Sequence, residues 1–318
     1  MEKNTGKTEC LNYIINRLEA KSKSIALTSI GLDGENIDQV TETPKPEIEI
    51  PKNSIFVTSE MHYRQKKLTA EILDISERHT ALGRLVTARA KNNGTVILSG
   101  PSDTVWLKYL INQLTKFNPD IILVDGAISR KSQGSPSVTD SIILTTGAAL
   151  SANIKTIVKK TKFIHTLIHL DVFEFFKTDD LLSIEKGLWA IDVNHEIHDL
   201  DIKSSLILEK SSDKLFKYGN TIFISGILTD KLLDFARIQK NISTTVLIVK
   251  DFTKIFISPE KYSAFISKGG KIKVLLKTKL ISVCVNPVSP DGFVINSPKL
   301  CNELATTLGI PVYDIKLK

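Results

Sequence analysis

At 318 residues the chain is long enough for one large α/β domain or two of ordinary size, and 42% hydrophobic with 24% charged side chains is an ordinary globular composition. The net charge of +7 comes from dispersed lysines, with no block of like charge and no basic stripe interleaved with aromatics, so a nucleic-acid partner has no support. No apolar run approaches about 18 residues and the start lacks a signal-peptide core, which argues against a membrane span or secretion; Cys10, Cys284 and Cys301, far apart and without CxxC spacing, argue against a disulfide framework or zinc site and fit the cytoplasm.

Elements follow from hydrophobic period. After Gly6-Lys7-Thr8, the i, i+3, i+4, i+7 spacing of Leu11, Ile14, Ile15 and Leu18 predicts an amphipathic helix beginning at or near Gly6. SIALTSIG (24–31) reads as a strand buried on both faces. Residues 35–59, with three prolines and the pieces IEI and IFV, read as a loop and a hairpin. Residues 64–75 read as weakly helical, 82–90 as a strand, and 95–103 as a strand ending in a Gly-Pro turn ahead of the helix VWLKYLINQLTKF. NPDIILVDGA (118–127) is a strand carrying Asp125 at its carboxyl end, and 141–150 is a strand leading to a helix. FIHTLIHLDVF (163–173) fits either strand or helix, and beyond it the chain alternates again: strands at 221–226 and 244–251, helices at 228–239, 259–270 and 297–309, strands in KIKVLLK and LISVCVNP, and a terminal PVYDI.

Alternation of this kind predicts a mainly parallel α/β sheet with crossover helices. Weakening of the pattern near 175–200 predicts two units, a nucleotide-binding domain over 1–175 and a second α/β domain over 176–318. No repeat of fixed period is present.

The residues with chemistry begin at the start of the chain. Gly-Lys-Thr at a helix N-terminus is the second half of a phosphate loop, in which Gly6 permits close approach, Lys7 neutralises terminal phosphate oxygens and Thr8 offers a hydroxyl to Mg²⁺. Asp125, ending IILVD, has the position of the acid that holds the metal directly or through water. Asp33, in GLDGE after the next strand, is a candidate switch acid or a turn aspartate. Lys3 resembles the extra lysine of deviant-loop ATPases, whose spacing is one residue longer. One glycine upstream would give G-MEKNT-GKT, resembling the loop of dethiobiotin synthetase. A strand feeding such a loop is central in its sheet, and its absence would leave polar groups unpaired at about 1–3 kcal/mol each, so an apolar strand ending in glycine is expected ahead of Met1.

Weaker candidates are His195 and His198 with Glu196 and Asp199, whose spacing is not HExxH, and His165 with His169 in an apolar segment. Ser102 lacks GxSxG context, while Arg130 and Lys131 follow Asp125 within reach of a phosphate.

Taken in order, LTSIGLDGE (27–35), SGPSD (99–103), VDGAISRKS (124–132), TTGAAL (145–150), VNPVSPDGF (285–293) and PVYDI (311–315) resemble a family of bacterial amino-acid fermentation proteins. These are the P-loop-type reactivase subunits serving the adenosylcobalamin-dependent lysine 5,6-aminomutase. The resemblance covers nearly the whole chain. It implies a P-loop NTPase fold and an accessory role: with a second ATPase subunit similar to the MutS mismatch-repair proteins, the chain uses ATP to exchange damaged cobalamin from the mutase. On that carry-over Gly6, Lys7 and Thr8 bind phosphate and Asp125 coordinates Mg²⁺. A DxHxxG-type corrinoid loop is absent from the sequence. Two other readings compete. One is a dethiobiotin-synthetase-like ligase or kinase with Lys3, Thr28 or Lys131 facing substrate, and the other a non-catalytic interaction subunit.

Overall fold

Aliphatic runs and amphipathic stretches alternate along the chain, and the computed structural model, which describes residues 5–30, 47–126, 135–205 and 214–317, turns most of them into strands and helices. In chain order these are α1 (Lys7–Glu19), β1 (Ile25–Ser29), β2 (Ile48–Ile50), β3 (Ile55–Ser59), α2 (Glu60–Gln65), β4 (Ala70–Thr80), β5 (Gly83–Ala90), β6 (Gly94–Val96), α3 (Thr104–Leu114), β7 (Ile121–Asp125) and β8 (Ser141–Gly147). There follow α4 (Ile154–Ile168), α5 (Thr178–Ser183), β9 (Leu188–Ile191), β10 (Ile197–Ile202), β11 (Thr221–Ile224), β12 (Leu228–Thr229), α6 (Asp230–Arg237), β13 (Val246–Val249) and β14 (Ile255–Phe256). The last are α7 (Pro259–Ser267), β15 (Lys271–Val274), β16 (Lys279–Asn286), α8 (Ser297–Leu308) and β17 (Val312–Asp314).

The protein is α/β with mixed sheets, and it divides into two compact units. The first takes residues 1–133, 143–157 and 282–318; the second takes 134–142 and 158–281. The single boundary expected near 175–200 is therefore replaced by a discontinuous partition, in which the last segment of the chain rejoins the first unit. The physical reason is strand pairing: β16 lies beside β8 and β17 in a three-stranded sheet, and a hydrogen-bonded neighbour so distant in sequence leaves no mark on local composition.

In the first unit the sheet order is β4-β5-β3-β1-β7. β1 is parallel to both β3 and β7, whereas β5 is antiparallel to β3 and to β4. Alternate side chains of β1 serve opposite faces: Ile25 and Leu27 pack with Leu11 and Ile15 of α1, and Ala26 packs with Trp106, Leu110 and Leu114 of α3. A strand covered on both faces must be apolar throughout, which is why residues 25–27 read as a continuous run. Each fully buried aliphatic side chain here contributes roughly 1.5–3 kcal/mol relative to exposure.

Local signals set the helix ends. Asp103 caps α3 by accepting from the Trp106 amide at 2.8 Å, and its carboxylate also meets Arg78 at 3.1 Å. In α8 the Asn296 side chain accepts from the Lys299 amide at 3.0 Å, with a proline in the first turn.

Two local expectations fail. Residues 64–75 are only briefly helical; from Ala70 they form β4, a charged edge strand. Its pairing with β5 shifts register between Ile72 and Asp74 and again between Ile75 and His79, and such bulges break the two-residue alternation that marks a strand. The IEI and IFV pieces do not form a hairpin together: β2 pairs with β6, and β3 enters the main sheet between β1 and β5. The ambiguous run 163–173 is helical as far as Ile168, the end of α4, and Val172 then bridges to Val274.

The second unit has the sheet order β10-β9-β11-β13-β15. β11, β13 and β15 run parallel, with α6 and α7 in the connections between them, and β9 and β10 add an antiparallel hairpin. Phe223, Ile248, Leu181, Ile191 and Leu275 form its core. One buried carboxylate is fully engaged: Asp251 accepts from Ser135 Oγ at 2.7 Å and the Thr253 amide at 2.8 Å, and also bonds the Thr253 hydroxyl. Among the described residues no helix is long and apolar enough to cross a membrane.

Candidate phosphate-binding site

The first turn of α1 lies where several strands of the first unit end. Gly6 precedes the helix at φ 82°, ψ 28°, a left-handed conformation that glycine adopts without penalty, and no side chain caps the helix from this position. Thr5 is buried, its hydroxyl 3.4 Å from that of Thr145 on β8. A β-carbon on Gly6 would stand 2.7 Å from Nδ2 of Asn286, the last residue of β16. Gly147, at the end of β8, has φ 153°, and a β-carbon there would stand 1.9 Å from the Asn286 carbonyl oxygen. Glycine is required at both positions for α1, β8 and β16 to converge this closely.

Asn286 and Glu9 tie the turn down. Nδ2 of Asn286 donates to Glu9 Oε2 at 2.8 Å, the amide of Val288 donates to Asn286 Oδ1 at 3.1 Å, and Lys316 donates to Glu9 Oε1 at 2.7 Å. An acid in the first turn also complements the helix dipole.

Asp125 comes from a third element. It is the last residue of β7, in register with Ser29 of β1, and its carbonyl accepts from the Ile30 amide at 3.2 Å. Its charge acts on the Cys10 thiol, one turn into α1, whose amide donates to the Gly6 carbonyl at 2.8 Å. That thiol is hydrogen-bonded with Cys284 of β16, and this bond, burial and the Asp125 carboxylate together push its pKa far up. Cys284 moves the opposite way, lowered by the same bond. α1 thus packs against β7, and its Cys10 faces Cys284 of β16 within the field of the Asp125 carboxylate. Lys7, Thr8 and Asp125 are all half-buried there.

Among the expected site residues, Gly6, Lys7, Thr8 and Asp125 lie at this convergence. Lys3, Asp33, Arg130 and Lys131 lie outside the described residues. Thr28 is fully buried in β1, its hydroxyl donating to the Ser29 carbonyl at 3.3 Å, so it does not face a substrate. The histidine pairs are occupied elsewhere. His198 Nε2 is 2.8 Å from Asp192 Oδ2 and its ring stacks on Tyr218 with centroids 4.3 Å apart. His165 and His169 stack at 4.0 Å, and burial, then the neighbouring ring, lowers the pKa of His165. Among the described residues no three His, Cys, Asp or Glu side chains group as metal ligands.

Sequence reading missed a polar cluster at the carboxyl end of β3. His62 Nδ1 is 2.6 Å from Ser99 Oγ, Ser99 Oγ is 3.5 Å from Ser59 Oγ, and Ser59 Oγ accepts from the His62 amide at 3.3 Å. All three are buried, which marks the cluster as a satisfied internal network. The Cys10–Cys284 pair and the Asn286–Glu9–Lys316 chain were also missed. No spacing rule reaches partners so far apart in sequence.

Open α/β sheets bind ligands beyond the carboxyl ends of their strands, and this is the end at which Asp125, Ser29 and the first turn of α1 gather. No protein-family model, curated protein or solved structure matches this chain.

Proposed function

We propose that this protein binds ATP with Mg²⁺ at the first turn of α1, as an accessory subunit of the P-loop NTPase type for a cobalamin-dependent amino-acid mutase. One observation carries the nucleotide reading: Gly-Lys-Thr opens a helix whose first turn is uncapped by any side chain from Gly6 and lies beside the acid ending a parallel strand. The residues suit the group. Amides in the first turn of a helix favour an anion, and the hydroxyl of Thr8 and carboxylate of Asp125 are the hard oxygen donors that Mg²⁺ prefers.

In this reading Gly6 lets the backbone approach the phosphates, Lys7 sets its ammonium against their terminal oxygens, and Thr8 and Asp125 hold the metal. Bound Mg²⁺ would supply neutralisation of phosphate charge. The accessory role and its partners, a second ATPase subunit and the aminomutase, rest on the sequence resemblance.

Titration of a fluorescent ATP analogue in the presence of Mg²⁺ tests the site. Lys7→Ala should weaken binding at least about tenfold, or about 1.4 kcal/mol, and equal affinity in both proteins would sink the nucleotide reading. For the role, a turnover-inactivated aminomutase should recover with this chain, the second subunit, ATP and fresh cobalamin. Equal recovery without this chain would refute an accessory function.

A further inference from the structure

The sheet of the second unit has a cavity at its own carboxyl end. β9 runs antiparallel to both β10 and β11, so its start lies between the ends of the other two: Leu188 is in register with Ile224 of β11 and with Ile202 of β10. Beyond these three strand ends the chain leaves a cavity of about 120 Å³, lined by described residues within 185–188, 203–205 and 224–227. Open α/β sheets place ligands at this end of their strands. The volume is below the roughly 300–1,000 Å³ of pockets that enclose drug-sized molecules, and well above the roughly 10–15 Å³ that holds one water.

The walls are fastened to one another. Ser225 Oγ donates to the Gly187 carbonyl at 2.9 Å and the Ser225 amide to the same oxygen at 3.3 Å, tying the turn after β11 to the entry of β9. Ser205 Oγ donates to the Ile227 carbonyl at 2.6 Å, tying that turn to the exit of β10. The turn reads Ile-Ser-Gly at 224–226, close to Leu-Ser-Gly at 98–100 in the first unit. A β-carbon on Gly100 would overlap the Ser29 carbonyl, so packing demands glycine there; at the exposed Gly226, nothing among the described residues lies within 4 Å of that point. Packing thus leaves the backbone at 226 uncovered, as close approach of a ligand requires.

The charges in the lining are two lysines, Lys186 and Lys203, and one acid, Glu185, which makes the cavity net positive. Glu185 acts on the half-buried ammonium of Lys250, and Asp201, close to Lys203 in the chain, is held by Lys214 at 2.8 Å. We propose that this cavity binds one phosphate group, held between the ammonium groups of Lys186 and Lys203 and against the backbone at Gly226. Lysine ammonium groups make charge-assisted hydrogen bonds to phosphate oxygens, and the ligand is inorganic phosphate or the terminal group of a small phosphate monoester. The site lies in the second unit and stands whether or not a nucleotide binds at α1.

Trp189 reports on it, because its Nε1 donates to the Lys186 carbonyl at 3.0 Å, and Trp106→Phe leaves it the one tryptophan of the chain. Inorganic phosphate is titrated into the full chain carrying Trp106→Phe, with sodium chloride holding the ionic strength constant, and Trp189 fluorescence and the urea midpoint of the second unit are followed. Phosphate should shift the fluorescence saturably or raise the midpoint. Lys186→Gln with Lys203→Gln should weaken that response at least about tenfold, with the phosphate-free midpoint unchanged. Lys268→Gln with Lys271→Gln removes the same charge at the amino end of β15 and should leave the response intact. If the first pair lowers the phosphate-free midpoint, Lys186→Arg with Lys203→Arg must keep the binding, and its loss there overturns the proposal. Glycerol phosphate separates the two sources: tighter binding than inorganic phosphate assigns the site to an esterified group, weaker binding to the free anion. No response in either measurement, equal weakening by both glutamine pairs, or equal binding of acetate overturns the proposal.

Discussion

β7 of the first unit and β13 of the second are near-equivalents as sequence, IILVD and VLIV, and opposites as structure. β13 has parallel neighbours on both sides, β11 and β15, and Leu247, Ile248 and Val249 are fully buried. Among the described residues β7 is paired with β1 alone, and all five of its residues keep partial exposure. Burial of an aliphatic run is thus a property of its neighbours as much as of its own side chains.

The contrast can be broken by mutation, because each unit has its own reporter: Trp106 lies in the first and Trp189 in the second. Urea unfolding is followed in Trp189→Phe and Trp106→Phe backgrounds respectively. Ile248→Ala should destabilise the second unit by about 3 kcal/mol through lost burial and a cavity the close-packed core cannot fill. Ile122→Ala, at a half-exposed position, should cost the first unit only about 1 kcal/mol. Equal losses at the two positions would remove the distinction between the strands.

Gly147→Ala probes the convergence at α1. Its β-carbon would meet the Asn286 carbonyl at 1.9 Å in a conformation unfavourable to L-residues, so a loss of about 2 kcal/mol in the first unit is expected, with Trp189 fluorescence unfolding as before. An unchanged midpoint for the first unit would mean that β8 and β16 part easily there.

The smallest effect is one of pH, in the second unit. The Asp192 carboxyl is held below its usual value, first by the hydrogen bond from His198 and then by the Glu196 amide. A depressed folded value means that this contribution to stability is complete above the unfolded value of about 4, and is lost as pH falls through the folded value. Asp192→Asn should therefore flatten the acid limb of second-unit stability below about pH 4. The same acid limb in both proteins would show that the His198 contact contributes nothing.

Much of the architecture was legible because its signals are local. The stripe of Leu11, Ile15 and Leu18, the continuous runs of β1 and β13, and the proline that opens α7 declare their elements without reference to distant parts. β4 was misread because bulges destroy the period that defines a strand, and β2 with β3 because adjacency in sequence was taken for adjacency in the sheet. At the candidate site the chain announces Gly6, Lys7, Thr8 and Asp125 by motif. It does not announce Asn286 or Thr145, which press on the same turn from 280 and 140 residues beyond Gly6 and Thr5.

By itself, then, the sequence determined the alternation of strand and helix, the start of α1 and the acid at the end of β7, since each depends on side-chain period or backbone preference over a few residues. Tertiary structure alone decided which strands are neighbours, that the C-terminal segment returns to the first unit, and that Thr28 and His62 are enclosed. Those outcomes arise from pairing and burial between distant segments, where free energy depends on what lies across the gap and no local pattern records it.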